Sequence, residues 1–528
     1  MPLAMTAAYM AYYFHKRYRS PLASAPLARA EHFLVKYFGL IPPPNNSEKT
    51  DTLSRFLIRV GQDPSLSPVS VCWSVTGSPT VIVNTLKGIR DVLIDGQVKS
   101  KVKNEPSKVQ RGTMIRVLQN LVFGGDNLNN TIGEEWRWRR HILLPPFQPK
   151  QLVPKLLPYV ATRASSLLDL FEKQAATGEA IELDELFMDM TMDVINYYLY
   201  GRNELNYDIV GGRTNLKVKK SVLPFGINKT NWGQRIYKPA RELIKTFIRD
   251  SLVYAREDYE RDVKEFEEQG IPERQRSYRS VAACAIASGR YDANQVDLVN
   301  DMLTLTFAGY DTTAHTLAFA FSELARNPQL QDELFAQVRQ VLGPPPVAPE
   351  SITAEKLARM PLVTAVYRET LRKYPAVAFI PVHVNRDTVV DGVVVPGGAE
   401  IWCNVRGIQM NPAIFPNPDV FDTSRWLRPD DKASDGTSDN AFDNLTTTGS
   451  SHDTVTPETQ YNFPDLSFTL GQHACLGKNL AILELRTVIA CAMNQFTCTL
   501  KKDSIIDTKI VLTTKPRHGV WCNFKKRD

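Results

Sequence analysis

The stretch FTLGQHACLG, from Phe468 to Gly477, decides the fold of this 528-residue chain. One cysteine lies between two glycines, and a run of helix-forming residues follows it. We therefore expect Cys475 at the N-terminus of a helix, where unpaired backbone N–H groups and the positive end of the helix dipole stabilise a thiolate. Such a thiolate can serve as a nucleophile, a metal ligand or a redox centre, and these ten residues alone leave the three roles open.

The composition is that of an ordinary globular protein, with 43% hydrophobic and 23% charged residues. A net charge of +6 is mildly basic and suits an anionic membrane surface or an acidic protein partner. The sequence has no dense Lys/Arg stripe interleaved with aromatic residues and no zinc-ligand spacing, so nucleic acid is not an expected partner. Seven scattered cysteines without a CxxC pair predict free thiols in a reducing compartment.

Residues 1–44 are interpreted as an apolar N-terminal segment followed by a proline-rich spacer at Pro42–Pro44. The apolar part ends at a basic cluster and is too short to cross a bilayer, which takes about 20 residues. A short membrane anchor, a targeting peptide and a mobile tail all stay open. Residues 45–528 are predicted to form a single domain, with a low-complexity surface insert at about 430–460 that is rich in Ser, Thr, Asp and Asn.

Hydrophobic periodicity predicts a mainly α-helical chain with a minor β-sheet. Strands are predicted at Val69–Trp73 and Thr80–Asn84, and a hairpin turns at Asp391-Gly392. The predicted helices are Gly133–Leu144, Leu152–Gln174, Leu183–Leu199, Ala240–Gln269, Asn294–Arg326, Pro328–Leu342, Leu357–Tyr374 and Lys478–Phe496.

The middle of the predicted helix Asn294–Arg326 carries the unusual segment AGYDTT, residues 308–313. A glycine inside a helix costs about 1 kcal/mol relative to alanine, and threonine hydroxyls compete for backbone carbonyls. A buried acid also needs a partner or water. Taken alone, the segment predicts either a helix bend with a threonine back-bond or a widened groove in which Asp311 and Thr312 handle protons.

Two further patterns place charged residues on single helix faces. Glu369 and Arg372 lie three residues apart, which alone is typical of a surface ion pair, and Arg425 offers a second arginine to the same carboxylate. Trp136 and Arg140 lie four apart and present two donors for a carboxylate or phosphate. That spacing alone is also typical of a cationic surface patch.

Taken in this order, the four elements resemble the cytochrome P-450 superfamily of haem-thiolate monooxygenases, from about Val69 to the C-terminus. The family's haem loop, FxxGxRxCxG, is matched at Phe468, Gly471, Cys475 and Gly477, and its AGx(D/E)T(T/S) motif at residues 308–313. The family's ExxR pair is matched at Glu369 and Arg372, and Arg425 matches the arginine of the downstream FxPxRW-like segment that completes it. The WxxxR motif is matched at Trp136 and Arg140. The resemblance implies a triangular prism of helices around a buried haem b.

The resemblance also implies a role for each matched residue. Cys475 would be the axial thiolate ligand of the haem iron, Phe468 would pack against the haem, and the flanking glycines would let backbone N–H groups approach the sulfur. Asp311 and Thr312 would deliver protons during dioxygen activation, so that one oxygen atom leaves as water and the other enters a C–H bond. The remaining matched residues would bind a haem propionate (Trp136 and Arg140) or form a buried structural network (Glu369, Arg372 and Arg425).

One position departs from the family pattern: His473 stands where the family usually has arginine. Histidine can donate an N–H to a propionate but is charged only part of the time near neutral pH, so we expect weaker propionate anchoring. His383 is a further candidate for contact with a propionate. The expected pocket is mostly apolar and predicts a lipophilic substrate; its lining is drawn from residues 103–130, 307–308, 377–382 and 511–514, and Pro375–Pro381 loosely resembles fatty-acid hydroxylating members.

Electrons must come from a separate protein, because the chain has no GxGxxG in a βαβ setting and no appended flavin or ferredoxin domain. Eukaryotic relatives imply an NADPH-cytochrome P-450 reductase, for which Arg137, Arg139 and Lys478 form a predicted basic docking face. The expected location is the cytosolic face of the endoplasmic reticulum membrane, with a soluble or organellar location left open. Two other functions stay open: a haem-thiolate isomerase or dehydratase that uses no oxygen, and a non-enzymatic haem sensor.

Overall fold

The computed structural model describes residues 2–29, 53–74, 78–97, 107–113, 116, 119–120, 123–201, 231–291, 296–427 and 463–527. Its helices are α1 (Pro2–Tyr18), α2 (Leu53–Gln62), α3 (Leu86–Arg90), α4 (Gly133–Leu143), α5 (Pro149–Thr177), α6 (Leu183–Tyr200), α7 (Asn231–Glu268), α8 (Val281–Ala287), α9 (Val296–Leu324), α10 (Pro328–Leu342), α11 (Ala354–Ala358), α12 (Pro361–Lys373), α13 (Val405–Gln409) and α14 (Lys478–Gln495). The prediction of a mainly helical fold with a minor sheet is confirmed.

The strands of the described residues are short and form small sheets. They are β1 (Val69–Trp73), β2 (Pro79–Val83), β3 (Val109–Arg111), β4 (Ile181–Glu182), β5 (Ile380–Val384), β6 (Thr388–Val390), β7 (Val393–Val395), β8 (Glu400–Cys403), β9 (Phe496–Leu500), β10 (Thr508–Ile510), β11 (Thr514–Pro516) and β12 (Trp521–Lys526). One sheet has the order β1-β2-β8-β5-β3, in which only β2 and β8 run parallel, and another has the order β4-β12-β9. The pairs β6-β7 and β10-β11 are separate hairpins.

The prediction of one continuous helix over Leu357–Tyr374 is wrong, because the structure has two helices in this region, α11 and α12. Met360 separates them, and Pro361 is the first residue of α12. A proline at this position starts a helix readily because the backbone N–H that it lacks would have no partner there, whereas it cannot continue the preceding helix.

Helix α9 runs through the core and packs along α6. Nearly all of its side chains are buried, as the apolar periodicity of the sequence predicts. Gly309 marks the closest approach of the two helices, because a Cβ atom at this position would lie 2.5 Å from Cγ1 of Ile195 on α6. The glycine that weakens the helix therefore allows this packing.

The N-terminal segment lies against the folded body. Tyr13 on α1 and Leu22 are buried in the main core, and Ala28 donates a backbone hydrogen bond to Val71 on β1. In the part of the chain that the structure describes, no helix has the length and apolar character needed to cross a bilayer. The predicted spacer at Pro42–Pro44 and the insert at about 430–460 lie outside the described residues.

Candidate active site

The loop before α14 is folded so that Cys475 precedes the helix N-terminus, as the sequence predicts. Gly477 is the N-cap residue, and the backbone N–H of Cys475 donates to the carbonyl of Phe468 at 2.8 Å. Gly471 has φ +70°, and a Cβ atom there would lie 2.1 Å from the carbonyl oxygen of Leu93. Only glycine fits that position, so the loop geometry depends on it.

The thiol of Cys475 is exposed, whereas the other six cysteines, which are also free, are buried or half-buried. The protein around the thiol raises its pKa, and the backbone N–H of Gly477 and the charges of Arg140 and Lys478 only partly oppose this effect. The helix N-terminus favours the thiolate as the sequence predicts, through the N–H of Gly477, but desolvation of the sulfur outweighs this contribution. A metal ion bound directly to sulfur would supply the missing positive charge.

Four hydrogen-bond donors converge beside this thiol. Arg140 and Trp136 lie on α4, and Arg140 donates to the carbonyl of Ala474 at 3.0 Å. The ring of His473 lies 4.0 Å from that of Trp136. Arg111, at the end of β3, is the fourth donor, and its positive charge lowers the pKa of His473. Sequence reasoning missed Arg111, because only the pairing of β3 with β5 brings it here.

Several donor atoms in this cluster are buried and lack a partner among the described residues: Nε1 of Trp136, Nδ1 of His473 and Nε of Arg111. Arg111 and Arg140 also repel each other, and each has a pKa lowered first by burial. Unpaired buried donors and unneutralised buried charges are costly. A group with two carboxylates would satisfy them, and haem b carries two propionates. The residues present therefore fit haem b, with Cys475 offering the thiolate ligand.

The surroundings of His473 disfavour a charged ring. Burial, and then the positive charges of Arg111 and Arg140, lower its pKa to about 2. A carboxylate bound beside the ring would oppose this effect, because a neighbouring negative charge favours the protonated imidazole. His383, the further candidate, has its Nδ1 2.9 Å from Oε1 of Glu400, and its contact with a propionate stays a prediction.

The segment 308–313 stays helical, and the predicted threonine back-bond is present. The hydroxyl of Thr312 donates to the carbonyl of Ala308 at 3.0 Å. Ala308 is exposed and Thr312 half-buried, although the rest of α9 is almost entirely buried. One face of the central helix is thus open at this segment, which is what a ligand-binding space requires.

Asp311 is buried and held by three partners. The hydroxyl of Thr513 donates to its Oδ2 at 2.5 Å, and Nε2 of His315 lies 3.3 Å from its Oδ1. Burial by itself would raise the pKa of Asp311, but His315, Thr513 and the charge of Lys515 outweigh it and lower the pKa to about 2. Asp311 is therefore a carboxylate at neutral pH.

Glu369 is completely buried and forms the centre of a polar network. Arg372 donates to both of its oxygens at 2.8 Å, and Nε of Arg425 lies 3.4 Å from Oε1. The indole of Trp426 donates to Oε2 at 2.9 Å, and the backbone N–H of Asp422 to Oε1 at 2.9 Å. The pattern that alone suggests a surface ion pair is thus a buried charge cluster with its lone pairs satisfied. Trp426 was not identified from the sequence, although it follows Arg425 directly.

The predicted basic docking face is wrong for Arg139, whose side chain is 1% exposed. It donates to Oδ2 of Asp301 at 2.7 Å and lies 2.9 Å from Oδ2 of Asp297, both on α9. Arg137 pairs with Glu134 on its own helix. The alternation of arginines along α4 therefore puts Arg137 outward and Arg139 into the core.

An exposed cysteine before a helix, beside unpaired donors suited to two carboxylates and within a mainly helical fold, is typical of haem-thiolate oxidoreductases. The family model for cytochrome P450 matches residues 68–522. The chain belongs to the cytochrome P450 family, whose members are monooxygenase oxidoreductases. Membership implies the use of haem and dioxygen, a lipophilic substrate and a redox partner.

Individual relatives agree with this assignment. Cytochrome P450 4X1 of Rattus norvegicus is 27% identical over 421 residues, which covers 76% of each chain. Cytochrome P450 4A10 of Mus musculus is 26% identical over 412 residues, 75% of this chain and 73% of that one, and a cytochrome P450 monooxygenase, astB, of Aspergillus terreus is 25% identical over 72% of each. The solved structure of a retinoic acid-bound cyanobacterial CYP120A1 has the same fold, with a TM-score of 0.62 and 18% identity over 87% of this chain and 92% of that one.

Proposed function

We propose that this protein is a haem-dependent monooxygenase that hydroxylates, or otherwise oxidises, a lipophilic small molecule. Its electrons come from NADPH through a separate NADPH-cytochrome P-450 reductase or an equivalent partner. The observation that carries the proposal is the convergence of Trp136, Arg140, Arg111 and His473 beside Cys475, with buried donor atoms left unpaired. Residues 45–528 act in this proposal as a single catalytic domain.

In the proposed site, the thiolate of Cys475 would bind the haem iron, and the four donors would hold the propionates. Gly471 lets the loop pass against Leu93, and Gly477 directs its N–H to the sulfur. Phe468 lies at the start of the loop and would pack against the haem. The haem, when bound, supplies the one-electron and dioxygen chemistry, while the protein supplies binding, orientation and electrostatics.

Thr312 and Asp311 are the proposed proton-handling residues. The Thr312 hydroxyl lies on the open face of α9, where it can donate a proton to a reacting oxygen. Its own proton must then be replaced, and Asp311 is the neighbouring acid in the chain. Glu369, Arg372 and Arg425 have a structural role in this proposal, since they form a buried network with one another, with Trp426 and with nearby backbone.

The proposed substrate is lipophilic, and contacts between aromatic rings in two of the segments expected to line the pocket support this. The rings of Phe123 and Phe307 lie 5.5 Å apart, and those of Phe307 and Tyr310 lie 5.8 Å apart. Ala378, in the segment before β5, is buried. Apolar walls of this kind select by shape and hydrophobicity, so fatty acids, terpenoids, sterols and aromatic compounds are all candidates.

The first experiment is the reduced carbon-monoxide difference spectrum of the purified protein, for which we expect the band of a thiolate-ligated haem. A histidine-type band in the native enzyme would overturn the assignment of Cys475. A screen of lipophilic compounds, scored by the shift of the haem Soret band, then identifies ligands. Product formation must require both NADPH with reductase and dioxygen. Product formed without NADPH, reductase and dioxygen would instead indicate an isomerase or dehydratase. Ligand binding without any product would indicate a haem sensor.

The donor cluster has its own test, with a matched control on the same helix. Trp136→Phe removes an indole N–H that lacks a protein partner, whereas Trp138→Phe removes one that donates to the exposed Glu135. We expect faster haem dissociation to apomyoglobin only for Trp136→Phe and for Arg111→Ala. Equal rates in wild type and all three variants would contradict the proposed propionate contacts.

Attachment to the cytosolic face of the endoplasmic reticulum membrane is also proposed, on the basis of the apolar N-terminal segment and its following basic residues. Fractionation of cells expressing the full chain tests it. Recovery in the membrane pellet after a high-salt wash supports an anchor, and recovery in the supernatant contradicts it.

A further inference from the structure

A histidine lies between two buried carboxylates beside the proposed proton-handling pair. Nδ1 of His315 lies 2.5 Å from Oδ1 of Asp184, and its Nε2 lies 3.3 Å from Oδ1 of Asp311. Asp184 is in the first turn of α6, and the other two residues are one turn apart on α9. The exposed fraction is 8% for Asp184, 1% for His315 and 5% for Asp311. The first carboxylate orients the ring by a hydrogen bond, and the second faces Nε2 at an ion-pair distance without hydrogen-bond geometry.

We propose that His315, held by Asp184, stores the proton that reloads Asp311 during each turnover. In the proposed step, the N–H bond at Nε2 of His315 breaks and an O–H bond forms at Oδ1 of Asp311, with no change in electron count. The ring remains as the neutral tautomer whose Nδ1–H donates to Asp184. Before the next turnover, a new N–H bond forms at Nε2 with a proton that comes from bulk water.

The charges around the triad support this role. Burial lowers the pKa of His315, but Asp311 and Asp184 outweigh it and raise the pKa to about 9. Asp311, with its pKa at about 2, holds no proton of its own at neutral pH and needs a donor behind it. His315 contacts Asp311 and carries a proton at neutral pH. Negative charge developing at Thr312 during turnover would raise the pKa of Asp311 and draw the proton across.

The two carboxylates lie at opposite nitrogens of the ring. Asp184 faces Nδ1 and is the least buried of the three residues, whereas Asp311 faces Nε2. Asp311 precedes Thr312, which lies on the open face of α9. Other titratable groups near the triad are Glu182 beside Asp184 and Tyr310 and Lys515 beside Asp311.

The alternative is that His315 only forms a structural ion pair between α6 and α9. Proton storage and a structural ion pair predict different effects of a substitution on product formation. His315→Gln keeps a hydrogen-bonding amide but cannot carry a proton. His518→Gln is the matched control, because it makes the same substitution at an exposed histidine outside the triad and the pocket. His315 acts through Asp311 and is therefore a positioning and proton-supplying residue rather than a catalytic one.

This inference rests on the proposed monooxygenase function, and the experiment uses the haem-loaded full chain with reductase and a substrate from the Soret screen. For His315→Gln we expect normal carbon-monoxide spectra and continued NADPH consumption, but at least about tenfold less product per NADPH, with the difference released as hydrogen peroxide. The solvent deuterium isotope effect on product formation should also change, whereas His518→Gln should retain the wild-type coupling. Full coupling and an unchanged isotope effect in His315→Gln would overturn the inference.

A second measurement does not depend on turnover. The chain has eight histidines, so ¹³C-histidine NMR spectra of wild type and His315→Gln assign the resonance of His315 by its loss. We expect that resonance to show a protonated ring at pH 7 and to titrate well above the ordinary histidine range. Titration at or below pH 6.5 would contradict proton storage. If wild type forms no product with NADPH, reductase and dioxygen, the proposed function fails instead, and the NMR result still stands by itself.

Discussion

Replacing Glu369 by glutamine tests the buried charge network at nearly constant volume. The side chain is completely buried and accepts four hydrogen bonds: two from Arg372 and one each from Trp426 and the backbone of Asp422. Glutamine keeps one accepting oxygen, but its NH₂ group faces donors where the second oxygen accepted. Without the carboxylate, the positive charges of Arg372 and Arg425 no longer face a negative charge at position 369.

Breaking a buried ion pair by removing one partner typically costs about 3–5 kcal/mol. Both arginines retain carbonyl partners, since Arg372 donates to Gln409 and Pro418, and Arg425 to Pro416 and Asn417. We therefore expect a loss near the lower limit, about 3 kcal/mol in the free energy of unfolding. Trp426→Phe removes a single hydrogen bond to a charged acceptor and should cost about 1.5 kcal/mol.

The assay is urea unfolding of the haem-loaded protein, followed by circular dichroism and by the Soret band. Glu134→Gln serves as the control, because Glu134 is 79% exposed and its loss should change stability by less than about 0.5 kcal/mol. Turnover per bound haem should stay close to wild type in Glu369→Gln. Stability within about 0.5 kcal/mol of wild type would refute the reasoning. Lost turnover in a stable, fully loaded variant would refute the assignment of Glu369 as structural.

Three more predictions concern the central helix. Gly309→Ala should destabilise the fold by about 1–3 kcal/mol in urea unfolding, because the added Cβ would collide with Ile195. Ile195→Val should recover part of that loss in the double variant. Additive effects of the two substitutions would contradict the packing argument. Arg139→Glu should reduce the unfolding free energy by about 3–5 kcal/mol, because it puts a second negative charge beside the buried Asp301. If the variant has wild-type stability and only its reductase-driven turnover is slower, Arg139 belongs to the docking face after all. The pKa of His315 is raised in the fold, so its stabilising contribution is complete below pH 6.5 and disappears as the pH rises through about 9. The difference in unfolding free energy between wild type and His315→Gln should therefore shrink from pH 7 to pH 10, and a constant difference would show that the charge of His315 is not involved.

The sequence predicted elements well where the signal is local. The strand Val69–Trp73, the hairpin turned at Asp391-Gly392 and the helix Pro328–Leu342 have the predicted positions. Periodicity and turn residues are properties of neighbouring residues, so they survive without knowledge of packing. The helix predicted over Leu357–Tyr374 failed at Pro361, a local signal that the periodicity concealed.

The sequence by itself determined the candidate cysteine, the acid–threonine pair and the family, because each depends on residue types at short fixed spacing. Only the tertiary structure decided which distant groups meet them. Arg111 reaches His473 through strand pairing, Asp184 reaches His315 through helix packing, and the thiol of Cys475 has a raised pKa because protein surrounds it. Contacts and desolvation of this kind depend on how remote segments pack, and no local pattern in the sequence specifies that packing.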